Sequence, residues 1–100
     1  MKRRIAWETK ASADYHAQLH YIAEQNPNNA DLVDQRLMAT IEKLADMPMG
    51  RAGRVVGTYE KPVARTSLII VYQATDEILY IVRIIHAKRN WPDGEWPREP

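Results

Sequence analysis

Five residues in the second half of the chain carry side chains able to move a proton or steady an anion: Glu60, Lys61, Arg65, Arg83 and His86. A carboxylate or imidazole can act as base or acid, and cations hold developing negative charge. Strand geometry sets a condition. Arg83 and His86 lie three apart, so in a regular strand they point to opposite faces. Only a bulge would bring them together. Each also has a plainer reading. Arg83, flanked by Ile81 and Ile85, suits an edge arginine paired with an Asp or Glu, because burying its charge alone is costly. His86 suits a capping or packing histidine. Arg51 and Arg54 sit in a glycine-bearing loop, either as a solvated turn or as contacts for phosphate or an acidic partner surface. Trp91 reads better as a lid on the core than as a base-stacking platform, and Trp96 fits either.

Other chemistries find no support. There is no cysteine, hence no disulfide, thiolate nucleophile or thiolate metal site. His16 and His20 have the spacing of a helical ligand pair, with Asp14 nearby. They lack a glutamate beside the first histidine and an identifiable third ligand, so no metal is expected. No phosphate-binding glycine loop, dinucleotide fingerprint or nucleophile elbow occurs, and no cofactor is expected.

The elements that must position these residues are short. One hundred residues suit a single domain with one modest core. No apolar run is long enough to span a membrane, and the basic start meets Glu8 and Lys10 before any leader-like apolar core. The lack of cysteine is compatible with the cytoplasm. Net charge is only +1. Its distribution is uneven: residues 8–46 hold seven acids against three bases, whereas residues 51–65 hold four bases against Glu60. An acidic first half and a basic second half suggest one cationic face.

Residues 3–7 alternate as a short strand. With Thr9 as N-cap, Tyr15, Leu19, Ile22 and Ala23 predict a helix from Lys10 to Gln25. Pro27 breaks it at Asn26, and Asn28 or Asn29 can cap a second helix. Ala30, Val33, Leu37, Ile41, Leu44 and Ala45 form that helix's apolar stripe. So short a turn makes the pair an antiparallel hairpin. Residues 55–63 read as extended and Leu68–Tyr72 as a strand buried on both faces. Asp76-Glu77 reads as a hairpin loop, and Ile78–His86 as a second apolar strand. The order is β-α-α-β-β-β, an α+β fold with the helical hairpin packed on a small twisted antiparallel sheet. The guanidinium groups are expected on the sheet's far side. Residues 1–92 form the domain and residues 93–100 a tail.

Several stretches, in this order and spacing, resemble the RelE/ParE superfamily of type II toxin–antitoxin toxins. They are Asn26-Pro27 with Asn29-Ala30, then Leu44-Ala45-Asp46-Met47-Pro48 followed by Gly50-Arg51-Ala52-Gly53-Arg54. Ahead lie Val55-Val56-Gly57-Thr58-Tyr59-Glu60, Ile69-Ile70-Val71-Tyr72, and Ile84-Ile85-His86-Ala87-Lys88-Arg89-Asn90-Trp91-Pro92. The likeness spans about residues 5–92. It implies a growth inhibitor neutralised by a cognate antitoxin, with operator DNA bound only through that antitoxin and a role such as plasmid stabilisation. Of the two activities in the superfamily, the Gly-Arg loop and the sparse basic residues on the strands favour the ParE-like one, inhibition of DNA gyrase by protein contact. Target-binding residues would then be Arg51, Arg54, Arg65, Lys88, Arg89 and Trp91. The alternative is RelE-like, ribosome-dependent cleavage of messenger RNA, with Glu60, Lys61, Arg65, Arg83 and His86 as the catalytic set. The antitoxin's expected seat is the outer side of the helical hairpin with the strand edge near Lys61–Arg65. Outside the family, a small nucleic-acid-binding module would need Tyr59, Tyr72 and Tyr80 as stacking platforms.

Overall fold

The computed structural model describes residues 2–87. Lys88, Arg89, Trp91, Trp96 and the tail 93–100 lie outside the described residues.

The elements run β1 (Arg4–Trp7), α1 (Thr9–Gln25), α2 (Pro27–Asp46), β2 (Arg51–Ala52), β3 (Tyr59–Pro62), β4 (Leu68–Ala74) and β5 (Ile78–His86). The α+β order expected from periodicity is present, with a two-residue strand, β2, added inside the glycine loop. Asn26, not Asn28 or Asn29, caps α2. Its backbone is extended and its side chain accepts from the Asn29 amide, with Pro27 at the first helical position. Pro27 has no amide to donate, so it suits a place where that amide would lack a partner. Glu8 rather than Thr9 precedes α1, without a side-chain cap. Tyr15 of α1 donates to Asp34 of α2 at 2.8 Å, joining residues on either side of the turn as a hairpin requires.

The sheet order is β1-β5-β4-β3-β2. β2 to β5 pair antiparallel, as expected, but β1 joins β5 in parallel, which makes the sheet mixed. Parallel neighbours need a long crossover, and everything from Glu8 to Glu77 supplies it. β4 and β5 therefore lie inside the sheet. That position explains their nearly unbroken apolar sequence, because both faces are covered.

The helix-side core joins the α2 stripe to Leu68, Ile70, Tyr72, Leu79, Ile81 and Ile84, with Trp7, Tyr15, Leu19 and Ile22 packed at its margin. The opposite face is a second apolar cluster of Ile69, Val71, Val82 and Ile85, against which Val55 packs. The expectation of guanidinium groups gathered on the far side is met only in part: Arg51 and Arg83 take that face by register, at its two margins, with the aliphatic cluster between them. Arg51 and Arg54 lie at the β2 margin, Arg65 in the β3–β4 turn, and Arg83 against α1. Alternation in β4 and β5 gives both faces mostly to branched aliphatics and leaves Arg83 as the one arginine or lysine on the two strands.

Candidate functional site

Register places Glu60, Val71 and Arg83 in one row across β3, β4 and β5. Glu60 is 4% exposed, and its carboxylate is held by Arg54. The Arg54 amide and Nε each donate to Oε2 at 2.9 Å, and Nη2 donates to Oε1 at 3.3 Å. Arg51 lies directly opposite Glu60 across β2 and β3. Burial pushes the carboxyl upward, but the Arg54 bonds and the charges of Arg54 and Arg51 outweigh it and hold the group below its ordinary range.

At the other end of the row Arg83 reaches Asp14 on α1. Nε donates at 2.6 Å and Nη2 at 3.0 Å, a bidentate pair, and the Ile84 amide donates to the same carboxylate at 3.0 Å. The cause is local. β1 pairs with β5 only as far as Trp7 and Ile81, so beyond it the edge of β5 faces the first turns of α1. Asp14 takes the place of the missing strand. The edge-arginine reading of Arg83 is the one observed.

A bulge does occur in β5: Val71 faces Arg83 while Tyr72 faces Ile81, leaving Val82 as the extra residue. It precedes Arg83, so the register from Arg83 to His86 is regular. The two residues keep opposite faces. His86 faces Leu68 and lines a cleft of about 210 Å³ with Gln18, Tyr21, Asn29, Arg65 and Thr66. The cleft lies between the end of α1, the start of α2 and the β3–β4 turn. Arg65 adopts φ of 63°, and its carbonyl accepts from Arg36 Nη1 at 3.3 Å. Lys61 pairs with Ile70, a helix-side core residue, and so lies on the face opposite Glu60. The five candidates thus divide: Glu60 and Arg83 occupy the far-face row with separate partners, while Arg65 and His86 share a cleft.

The glycine loop proves tightly built. Gly53 donates to the Thr58 carbonyl at 2.8 Å, while Thr58 directs both its amide and hydroxyl to the Val55 carbonyl. Gln73 reaches the Gly57 carbonyl, and Gly57 has φ of 89°. A Cβ on Gly53 would strike the Thr58 hydroxyl. Tyr59 stacks on Tyr72 with centroids 5.9 Å apart. Burial, then the neighbouring Tyr59, raises the Tyr72 hydroxyl above its ordinary value. Two features escaped sequence reasoning. Sequence spacing sets Asp14 beside His16 and His20 with nothing that points to Arg83, and nothing near Val56 marks its exposure. Among the described residues no three His, Asp or Glu side chains converge to hold a metal, and no helix is long and apolar enough to cross a membrane.

The comparisons agree with this architecture. The protein Y4kP of Sinorhizobium fredii is 30% identical over 92 residues, covering 91% of this chain and 95% of that protein. Toxin RelE2 of Caulobacter vibrioides is 31% identical over 86 residues, covering 86% and 97%. The solved chromosomal ParDE system from P. aeruginosa shares the fold with a TM-score of 0.76 at 22% identity, covering 87% of this chain and 98% of that one. Residues 5–91 match the family described as the ParE toxin of the type II toxin-antitoxin system, parDE, and the chain belongs to that family within the RelE/ParE superfamily.

Proposed function

We propose that this toxin acts by protein–protein contact on DNA gyrase in the cytoplasm and is neutralised by a cognate antitoxin. The observation that supports this reading is the fate of the far-face row. Its acid and its arginine are each tied to an internal partner, Glu60 to Arg54 and Arg83 to Asp14, with buried Val71 between them. A base must be within hydrogen-bond reach of the proton it takes, and a cation must face the developing charge. Groups already engaged in bidentate pairs are poorly placed for either task. Toxin–antitoxin systems among the solved structures of this fold support a cognate antitoxin as partner, and operator DNA would be bound only through it.

The second reading, ribosome-dependent cleavage of messenger RNA, draws on one observation: Arg65 and His86 line the same cleft. Brief expression separates the two. Loss of supercoiling in extract with intact messages supports the gyrase reading. Message cleavage that disappears in His86→Ala or Arg65→Ala overturns it.

A further inference from the structure

Val56, at the tip of the 53–58 loop, is 99% exposed, against 39–62% for the other exposed large apolar residues among the described ones. A lone surface valine has no meaning by itself. This one stands on a loop that the structure holds in one shape. Val55, its neighbour, packs on the far-face cluster, while the Thr58 and Gly53 bonds close the loop beneath it. The Arg54–Glu60 pair fastens one flank, and Gln73 fastens Gly57 on the other. A tip fixed before contact loses little conformational freedom on docking, so an apolar side chain there contributes most of its burial to affinity. The stem is cationic: Arg51 is exposed, and it and Arg54 stand against a single acid, Glu60.

We propose that this loop is the element that enters the target protein, with Val56 as its apolar anchor. The partner surface it fits is a shallow apolar socket rimmed by carboxylates, which would meet the Arg51 side. The inference deepens the gyrase reading and rests on a protein target. Apolar contact at the tip and opposite charge at the rim select a folded, acidic protein surface over nucleic acid, which would repay more arginines; the exposed aromatic beside the loop, Tyr59, is already stacked on Tyr72.

The test compares wild type, Val56→Asp, Val56→Ile and Arg51→Glu, each purified from its antitoxin complex. Readouts are gyrase supercoiling, growth arrest on expression, antitoxin binding and thermal unfolding. Val56→Asp should weaken supercoiling inhibition and growth arrest at least about tenfold, and Arg51→Glu should weaken both. Val56→Ile should match wild type. Antitoxin binding should not move in any variant, and the unfolding midpoint should not move in the Val56 variants, because Val56 supports no internal packing; Arg51→Glu sets like charge opposite Glu60 and should unfold earlier. Val56→Asp as potent as wild type overturns the proposal. So does a parallel loss of antitoxin binding, or a change of oligomeric state, since the loop then serves another occupant. If wild type arrests growth without touching supercoiling, the gyrase reading fails alone, and Val56→Asp still decides the loop through growth. A wild-type chain that does neither overturns both.

Discussion

Glu60 and Arg83 stand in the same row of the sheet, two strands apart with Val71 between them, yet each turns its charge away from the other. Two strand spacings put their backbones about 10 Å apart. Glu60 is drawn toward β2 by Arg54, and Arg83 toward α1 by Asp14. The row therefore fastens the two margins of the sheet and leaves apolar residues between them.

Removing the Asp14 charge should show how much that fastening contributes. Arg83 and Asp14 are 11% and 16% exposed, and breaking such a pair from one side typically costs about 3 kcal/mol. Asp14→Asn should lower the unfolding midpoint by more than about 10 °C. Adding Arg83→Met should restore most of it, because the Asn carbonyl still accepts from the Ile84 amide. A double variant no more stable than the single one would show that the charges were not the source of the loss.

Acid should find Glu60. Its carboxyl lies below the ordinary 4.5 when folded, so its charged form favours the native state. That contribution is complete above pH 4.5 and declines as pH falls through the depressed native value. Glu60→Gln should destabilise by about 1–3 kcal/mol at neutral pH. The difference between wild type and variant in urea midpoints should shrink as pH drops below 4.5. A difference that stays constant through acid would assign the effect to packing.

The Asn26 cap offers a smaller and cleaner loss. Asn26→Ala removes the acceptor for the Asn29 amide, and Asn26→Gly removes it with a backbone that tolerates the turn. The alanine variant should lose about 1 kcal/mol, and the glycine variant only a few tenths. Equal losses would mean that the extended backbone, not the side chain, governs the turn.

Sequence made the helical hairpin and the β4–β5 ribbon legible because they depend on local period. All six residues of the α2 stripe are buried, and β5 spans Ile78–His86 as expected. What it hid depends on distance. Asp14 and Arg83 are 69 residues apart, and nothing near either names the other. The parallel place of β1 is a choice between sheet edges that four residues cannot encode. Charge counting went only part of the way: it located the bases along the chain, but register sends Arg51 and Arg83 to opposite margins of one face, which sequence clustering does not show. The Arg51–Glu60 opposition was within reach, since a two-residue strand after Gly50 would have paired them across a ladder.

Arg65 supplies a prediction that bears on both stability and target. Its φ of 63° places a side chain where L-residues pay roughly 1–2 kcal/mol, a cost glycine escapes while losing some stability through its freer unfolded chain. Arg36 binds the Arg65 carbonyl, so that bond survives any change of side chain. Arg65→Gly should therefore stabilise by about 1 kcal/mol and raise the midpoint by roughly 5 °C. If the toxin acts through the loop bearing Val56, supercoiling inhibition by this variant should equal that of wild type. If the cleft with His86 does the work by cutting messages, the variant should be more stable and no longer cleave them. Calorimetry with a supercoiling titration and a message-cleavage assay on the same preparation distinguishes the cases, because the gain in stability rules out misfolding as the reason for lost activity.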